Sequence, residues 1–467
     1  MRLKKELTFL DIFCLASGAM ISSGIFILPG LAFAKTGPSV IFSYVLAGLL
    51  ALIGILSVIE LSTAMPKAGG DYFFISRGLG PLAGIMAGFF SWLALSLKSA
   101  FAIFGLSELI YIFSGANLFL TGVAITLFFV TINALGMRYA SRFQIFLVII
   151  LILALGIYVI LGFPQVTPSY YQPFMTHGIN GVIATAAFAF ISFGGLMKIA
   201  SMAEEVSNPK RNLPLGLLAS VIIMTALYTL MLYITVGILP PGDLSSSLTP
   251  IADTAIRFLG SPGLITISIL ASLAFITTAN AGIAAASRYP LALSRDHLLP
   301  KFIASINKNR KTPIVAIIFT GLLTIGALTL NLETLVKAGS TVILFSYLLS
   351  NISVIVFRHS KLRYYQPSFR TPLYPIPQII GIIGFSYMII DLGFVAIEVI
   401  IALILISIIL HLFFGRKHQR YFALQCLIQR LIGKSGKSVL EKELKKILKE
   451  RDVRSSRHFC LRCLKRK

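Results

Sequence analysis

Two glycine-rich stretches interrupt long apolar runs of the chain and expose peptide groups that could bind a ligand. The first, SGAMISSGIFILPG, covers Ser17–Gly30 with three glycines, three serines and one proline. The second, FAFISFGGLMK, contains the adjacent pair Gly194 and Gly195. A helix broken inside a membrane frees N–H and C=O groups, each of which costs about 2–7 kcal/mol without a partner. A ligand, an ion or water must therefore take these groups.

The chemistry that the freed groups favour is that of a small zwitterion. N–H groups at a helix N-terminus attract a carboxylate, whereas freed carbonyl groups suit an ammonium group or a sodium ion. An α-amino acid carries both complements on neighbouring atoms. Five predicted spans lead from the first break to the second, so the second is inverted relative to the first, as in transporter substrate sites. Close helix packing through glycine and serine is the alternative for either break.

Lys98 and Lys198 are the basic residues that fall inside predicted spans. An ammonium group at the membrane centre costs at least about 3 kcal/mol, so it faces a cavity or a partner. We hypothesise that Lys98 couples proton movement or provides positive charge in a cavity; pairing with a buried carboxylate or carbonyls is the structural alternative. Its neighbours at helical spacing are mostly small, which turns it toward the bundle: Ser91, Ala94, Leu95, Ala102 and Gly105.

The remaining charges near the second break are predicted to lie toward the membrane surface. Lys198 is close to the end of its span, which favours a side chain that snorkels to the interface. Two cations near one cavity still favour neutral or acidic substrates over cationic ones. Glu204 and Glu205 begin the next loop and are predicted to pair with Arg77 or Arg138 as an inner gate; a solvated acidic helix end is the alternative.

The elements that position these residues are predicted to be membrane helices. Hydrophobic residues make up 57% of the 467 residues and charged ones 12%, which excludes a soluble domain. The first apolar run exceeds a signal-peptide core and has no small-residue cleavage site after it, so we expect it to remain. The fold class is therefore an all-α membrane protein with twelve transmembrane helices, at 8–34, 39–65, 81–113, 118–136, 143–163, 179–203, 213–239, 262–288, 313–331, 335–357, 376–391 and 394–414.

The loop charges predict the orientation of these spans. The opposite side carries only Lys35, Arg257 and Lys337, whereas Lys and Arg concentrate in alternate loops, at 2–5, 67–77, 138–142, 210–211, 288–311 and 358–370. The positive-inside rule then gives a multi-pass protein of the cell membrane with both termini cytoplasmic. The chain divides into a transmembrane domain at 1–415 and a basic cytoplasmic tail at 416–467.

The tail contributes much of the net charge of +24, and its LEKELKKILKE segment at 440–450 predicts a short amphipathic helix. Leu440, Leu444, Ile447 and Leu448 share one face, which is typical of a helix on an anionic membrane leaflet; a basic disordered tail is the alternative. Charge spread over loops and tail argues against a nucleic-acid partner.

The cysteines do not predict a disulfide framework or a metal site. None of them lies in a segment placed outside the cell: Cys14, Cys426, Cys460 and Cys463. The CxxC pair near His458 is weak evidence for zinc, and no metal is assigned. The sequence has no phosphate-binding loop, zinc-binding helix motif or Gly-x-Ser-x-Gly elbow, so we expect neither an enzyme nor a cofactor.

Five blocks of the sequence resemble the amino acid–polyamine–organocation permeases, in family order from about residue 8 to residue 415. GAMISSGIFILPG resembles the span 1 signature, with Ser22 where a glycine is common. FISFGGLMKIASMAEEVSNPKRNLPLG resembles span 6 and the loop after it. The other blocks are AMPKAGGDYFFISRGLGPLAG before span 3, ANAGIAAASRYPLALSRDHLLP at the end of span 8 and FRTPLYPIPQIIG at the start of span 11.

The resemblance implies the leucine-transporter-like fold: inverted five-helix repeats, interrupted helices 1 and 6, and two additional helices. It implies that the substrate carboxylate meets N–H groups around Ser23 and Gly24. The amino group would meet carbonyls near Ala19 and Met20, and near Ile191–Gly194, a segment that includes Phe193. Alternating access would then carry the substrate across the membrane.

The resemblance also implies roles for spans 3 and 8. Span 3 lines the substrate cavity in relatives, and the spacing from Trp92 places Lys98 or Ser99 toward it. Thr277 and Thr278 correspond to hydroxyls that hold a sodium ion in sodium-driven relatives, although threonine bonding to its own helix is commoner.

Two departures from the family pattern leave the coupling ion open. Met197 stands where many members have a polar residue, and Lys198 follows it. Span 5 has no lysine, whereas several proton-coupled relatives place one at the sodium position. The sequence thus predicts a secondary active transporter of amino acids or related amines, coupled to H+ or Na+ or working by exchange. A transporter-like amino acid sensor that signals through the basic tail is the alternative.

Overall fold

The computed structural model describes residues 7–67, 69–136, 141–307, 312–413, 422–432 and 440–448, without the side chains at 141–143, 201 and 430. Over these residues the chain is helical, and the described part contains one isolated bridge, between Leu7 and Val206. Several residues named above lie outside it: Arg2, Lys4, Lys5, Arg138, His458, Cys460 and Cys463. The side chain of Arg142 is likewise not described.

The first apolar run forms three helices in place of one. Thr8 caps α1 (Phe9–Met20) through a reciprocal pair of hydrogen bonds with Asp11. The backbone then becomes extended at Ser22, and α2 (Ser23–Phe26) follows. Pro29 lies in the first turn of α3 (Leu28–Thr36), a position where its missing N–H costs no helical bond. The glycine- and serine-rich stretch is therefore a true interruption of the helix.

The second glycine-rich stretch breaks the sixth predicted span. Helix α9 (Gly178–Ala189) tightens into a 3₁₀ turn at Phe190–Phe193 before the chain unwinds at Gly194. Gly195 has φ +98°, a left-handed conformation that glycine adopts without steric cost. Helix α10 (Leu196–Ser201) starts directly after it.

The remaining helices form the bundle around these breaks. The long ones are α4 (Val40–Ala64), α6 (Pro81–Ser114), α7 (Leu118–Leu135), α8 (Ser141–Gly162), α11 (Pro209–Ile238), α13 (Pro250–Ala286), α16 (Leu332–Ser360) and α18 (Phe394–Phe413). The shorter ones are α5 (Gly70–Leu79), α12 (Pro241–Ser246), α14 (Arg288–Arg295), α15 (Ile314–Ala327), α17 (Ile376–Asp391) and α19 (Ala423–Leu431). Helix α6 is central, because it packs against α5, α13, α15, α16 and α18.

Nine helical segments of the described chain are long and apolar enough to cross a membrane. Three shorter apolar helices accompany them: Phe9–Met20, Ile314–Ala327 and Ile376–Asp391. The first of these is short because the break at Ser22 divides the predicted span 8–34, and its second half, α3, continues into α4. Exposed isoleucine, leucine and phenylalanine side chains cover the outside of the bundle, as expected of a multi-pass membrane protein.

A buried ion pair that the sequence did not indicate fastens two helices of the bundle. Glu60 on α4 is 0% exposed and accepts two hydrogen bonds from Arg358 on α16, at 2.7 and 2.6 Å. Tyr365 and the backbone N–H of Thr371 donate to the same carboxylate, at 3.1 and 2.8 Å. All these partners together compensate the loss of hydration of the buried charge.

The amphipathic segment of the tail packs on protein, which corrects the prediction that its apolar face rests on lipid. Residues 440–448 are helical, and the four predicted apolar positions are buried. Leu440 and Leu444 join the same hydrophobic core as the membrane helices. Glu443 forms an ion pair with Arg77 of α5, 3.1 Å between Oε1 and Nη2. The apolar side chains of this segment are buried against the protein, so this face has no exposed surface left to contact a bilayer.

Candidate functional site

The two interruptions contact each other at the centre of the bundle. Ser192 Oγ donates to the carbonyl oxygen of Gly24 at 2.9 Å, and Tyr44 Oη donates to the same oxygen at 2.9 Å. A Cβ atom on Gly24 would lie 2.6 Å from Ser192 Oγ, and one on Gly195 would lie 2.8 Å from the Cβ of Ala19. Both glycines therefore allow a backbone approach that no larger residue permits.

Lys98 takes the carbonyl groups that the second interruption frees. Its Nζ lies 2.5 Å from the carbonyl oxygen of Gly194 and 3.3 Å from that of Ile191. The side chain is 4% exposed and reaches these groups from the middle of α6. An ammonium group is thus bound where the α9 half-helix ends, the end of a helix that favours positive charge. The structure thus pairs Lys98 with buried carbonyl groups, which was the structural alternative in the sequence analysis.

An N–H group on the same segment, that of Ile191, also has a side-chain partner within the protein. The N–H of Ile191 donates to Ser340 Oγ at 3.1 Å, and Ser340 in turn donates to the carbonyl oxygen of Phe188 at 2.9 Å. Helix α16 therefore supports the unwound segment through Ser340, as α6 does through Lys98.

A cavity of about 330 Å³ opens beside Lys98, at the junction of the two breaks. Two lysines, an amide and two threonine hydroxyls contribute its polar groups, and none of the described residues that line it is acidic. Its residues come from helices α1, α6, α8, α10 and α13 and from the second break: Gly18, Ala19, Leu95, Lys98, Gln144, Gly195, Lys198, Thr277, Thr278, Ala281 and Gly282.

The predicted substrate residues divide between the cavity and its surroundings. Ala19 and Lys98 line the cavity, and the carbonyls of Ile191 and Gly194 hold Lys98. The other predicted residues are buried but lie outside the lining: Met20, Ser23, Gly24, Ser99 and Phe193.

Of the two predicted positions on α6, the fold directs Lys98 and not Ser99 to the breaks. Ser99 Oγ donates to the carbonyl oxygen of Leu95 at 2.8 Å, and a Cβ on Gly282 would lie 2.1 Å from it. Ser99 therefore faces α13 as a packing residue. One helical step separates two residues by about 100°, so Ser99 packs against α13 while Lys98 reaches the breaks.

The two threonines of α13 both line the cavity, but only one is bonded within its own helix. Thr277 Oγ1 donates to the carbonyl oxygen of Ala274 at 3.0 Å. The Oγ1 atom of Thr278 is buried without a hydrogen-bond partner in the described structure, and the residue is 7% exposed. A buried hydroxyl of this kind costs free energy until a ligand or water pairs with it.

The prediction that Lys198 snorkels to the interface is wrong. The residue is 9% exposed and lines the cavity together with Lys98. The prediction assumed one regular helix through Gly194 and Gly195. The unwinding at these glycines reorients α10 relative to α9, so the residues after the break lie elsewhere than that helix would place them. Gln144 of α8 was also missed, although it was the first polar residue of a span otherwise rich in leucine and isoleucine.

A second missed feature is a buried carboxylate next to the site. Asp71 of α5 is 0% exposed and accepts hydrogen bonds from Ser91 of α6 and, at 3.0 Å, from Tyr289 of α14. Burial raises the pKa of Asp71 to about 6, although these hydrogen bonds oppose the shift. Ser91 and Tyr289 also line a second cavity, which shares Leu95 and Gly195 with the first: Ser91, Ala94, Leu95, Gly195, Met197, Tyr289, Ile343 and Ser346.

Arg77 does not form the predicted inner gate with Glu204 or Glu205, and the other predicted partner, Arg138, lies outside the described residues. Arg77 pairs with Glu443 of the tail helix, and its guanidinium carbon lies 3.9 Å from the centre of the Phe73 ring. Glu205 instead approaches Arg288, with 3.9 Å between the charged atoms. The tail helix brings a carboxylate to Arg77 that loop spacing alone could not reveal, and Glu204 is not joined to Arg77 by a described ion pair.

Comparison with known proteins finds relatives that match most of this chain. The family described as amino acid permease matches residues 7–414. The chain is 30% identical over 449 residues to the branched-chain amino acid permease BcaP of Bacillus subtilis, which covers 90% of this chain and 94% of the relative. It is 29% identical to the methylthioribose transporter of the same species, over 89% of this chain and 94% of the relative.

A plant relative is named for a different class of amino acid. The chain is 27% identical to cationic amino acid transporter 1 of Arabidopsis thaliana, over 76% of this chain and 63% of that protein. These relatives are transporters rather than enzymes, and the family match covers the helices that carry both breaks, the cavity and the bundle. This chain is therefore a multi-pass membrane protein that belongs to the amino acid permease family.

Proposed function

We propose that this protein is a secondary active transporter that moves amino acids, neutral or acidic, across the cell membrane by alternating access. The observation that carries the proposal is the meeting of two interrupted helices beside a cavity of about 330 Å³. Broken helices inside a membrane protein are tolerated where their peptide groups serve a cavity. The branched-chain permease among the relatives supports an amino acid substrate.

The topology that fits this function has twelve spans. Helices α1 to α3 together form the first, α9 and α10 the sixth, and the short apolar helices α15 and α17 complete the set. In this arrangement α1 and α9 are equivalent half-helices of inverted five-helix repeats. Both termini face the cytoplasm, and the tail at 416–467 is a cytoplasmic extension.

The peptide groups of the breaks provide a site for both ends of an amino acid. The N–H groups around Ser23 and Gly24 receive the carboxylate, and Ser23 Oγ is buried without a partner in the described structure. The carbonyls near Ala19 and Met20, and those of Ile191 and Gly194, receive the ammonium group. The two cavity lysines oppose a cationic side chain by like-charge repulsion.

We favour the proton as the coupling ion. Two ammonium groups line the cavity that Thr277 and Thr278 also line, so a sodium ion there would meet positive charge. Lys98 can exchange a proton when it leaves its carbonyl partners, and Asp71 lies next to the cavity that adjoins it. The sensor alternative has no support among the relatives named above, which are permeases and transporters.

Counterflow in proteoliposomes tests the proposal. Vesicles loaded with unlabelled leucine or glutamate should accumulate the labelled form of the same amino acid above the level of protein-free vesicles. Dissipation of a proton gradient should reduce net uptake, whereas replacement of sodium by choline should not. Binding without accumulation would instead identify a sensor. The absence of both binding and accumulation would reject an amino acid substrate.

A further inference from the structure

We propose that the site selects acidic amino acids through an exchange of partners at Lys98. In the structure the ammonium group of Lys98 bonds to the carbonyls of the second break. On binding, the substrate ammonium group takes its place and Lys98 turns to the side-chain carboxylate of the substrate. This inference rests on the proposed function and narrows its substrate class.

The first step of the argument is that the site already contains the cation it needs. Lys98 Nζ bonds to the carbonyl oxygens of Gly194 and Ile191 at 2.5 and 3.3 Å, and Ser340 holds the N–H of Ile191. A substrate ammonium group that uses these carbonyls must displace Lys98. The displaced lysine is buried, at 4% exposure, so it requires a new acceptor inside the protein.

The second step is that the described residues that line the cavity offer hydrogen-bond donors but no acidic acceptor. Its polar groups are the ammonium groups of Lys98 and Lys198, the amide of Gln144 and the hydroxyls of Thr277 and Thr278. The Thr278 hydroxyl is buried without a partner in the described structure, on a residue 7% exposed. A ligand that brings a carboxylate into this space would satisfy the lysine and the threonine together.

The third step compares substrates by charge. A neutral amino acid would bring an ammonium group next to two lysines, while its single carboxylate is engaged at the first break. A cationic amino acid would add a further positive charge. An acidic amino acid adds a second carboxylate, and a charge-assisted hydrogen bond to it is about twice as strong as the bond that an amide would make. The isosteric pair of glutamate and glutamine therefore isolates the effect.

Binding to the purified full-length protein in detergent, measured by calorimetry and by thermal shift, tests the proposal. Glutamate should bind at least about tenfold more tightly than glutamine, and aspartate more tightly than asparagine, because a charge-assisted bond replaces a neutral one. Lys98→Met should abolish this preference, because the affinity for glutamate should fall to that for glutamine. Lys98→Arg, which retains the charge, should preserve part of it.

Two controls separate this selectivity from general effects of charge. Lys337 on α16 pairs with Glu333 at 3.0 Å, away from the cavity lining, so Lys337→Met should keep the preference for glutamate. Sodium chloride titrated in place of an amino acid should give no comparable stabilisation. If chloride alone stabilises the protein and Lys98→Met removes that effect, the cavity is a site for a free anion and the exchange at Lys98 is rejected.

The outcomes also separate this proposal from the proposed function. Equal affinity for glutamate and glutamine in the native protein, with counterflow intact, overturns the selectivity and leaves amino acid transport standing. A glutamate preference that survives in Lys98→Met assigns selectivity to another group and overturns the role of Lys98. Absence of binding for every amino acid overturns both proposals.

Discussion

Lys98 and Gly194 lie 96 positions apart in the sequence, yet the lysine ammonium is 2.5 Å from the glycine carbonyl oxygen. This bond joins the central helix α6 to the unwound segment between α9 and α10. It explains how the fold tolerates both a broken helix and a buried lysine, because each compensates the other. In the proposed site, the substrate ammonium group competes for the same carbonyl oxygen, so this bond connects the architecture of the bundle with the proposed function.

The contact between the two breaks should not tolerate a methyl group. Gly24→Ala places a Cβ 2.6 Å from Ser192 Oγ, and relief of such overpacking costs about 1–3 kcal/mol. We expect the counterflow rate to fall by about tenfold or more, which corresponds to about 1.4 kcal/mol of barrier. Gly156→Ala is the matched control, since nothing lies within 4 Å of its new Cβ. Normal counterflow in Gly24→Ala would contradict a close approach of the breaks.

Removal of the buried carboxylate of Glu60 should strongly destabilise the bundle. Glu60→Ala leaves the Arg358 guanidinium, 20% exposed, without the acceptor that now receives two of its hydrogen bonds. Breaking a buried pair in this way costs about 3 kcal/mol or more.

Trp92 provides the measurement for this variant. It is the single tryptophan of the chain, and its Nε1 donates to Thr320 at 3.0 Å, so its fluorescence reports unfolding of α6 from α15 in denaturant. Asp243→Ala, which breaks the exposed pair between Asp243 and Arg257, is the control and should shift the midpoint little. Equal midpoints for the two variants would show that the Glu60 pair does not stabilise the fold.

Asp71 should make stability depend on pH between about 4 and 6. Its pKa is raised from 3.8 to about 6, so in this window the folded protein binds more protons than the unfolded chain. The contribution of this group to stability is therefore highest below pH 4, falls as the pH rises and is constant above about 6.5. The difference between the two limits is about 3 kcal/mol.

Melting curves of the native protein and of Asp71→Asn across this range check the sign. The melting temperature of the native protein should fall relative to that of Asp71→Asn as the pH rises from 4 to 6.5, because asparagine does not titrate. A difference between the two proteins that is independent of pH, or one that grows with the opposite sign, would show that Asp71 is not a buried carboxyl group with a raised pKa.

The docked tail helix should be released by a charge on its buried face. Leu444 is 2% exposed, so Leu444→Glu should detach residues 440–448 and break the pair between Glu443 and Arg77. Limited proteolysis should then cleave the tail faster than in the native protein. Lys446→Glu changes an exposed position of the same helix and serves as the control. Similar cleavage rates for both variants would argue against docking of the leucine face.

The break regions and the family could be predicted from sequence because their signals are local. Glycine, serine and proline at Ser17–Gly30 determine backbone conformation within a few residues, and the adjacent glycines at 194 and 195 do the same in the second stretch. Hydropathy is likewise a property of short windows, so it predicted apolar helices close to those observed.

The composition of the cavity depended on tertiary structure. Lys198 faces the cavity only because the unwound segment reorients α10, and Arg77 meets Glu443 only because the tail folds back over α5. The Glu60 and Arg358 pair joins residues almost three hundred positions apart, for which no local pattern exists. Local patterns in the sequence determined where helices form and where they break. The tertiary structure decided which buried charges meet, because these contacts form between distant helices. An unpaired buried polar group costs free energy, so the helices pack in an arrangement that pairs such groups.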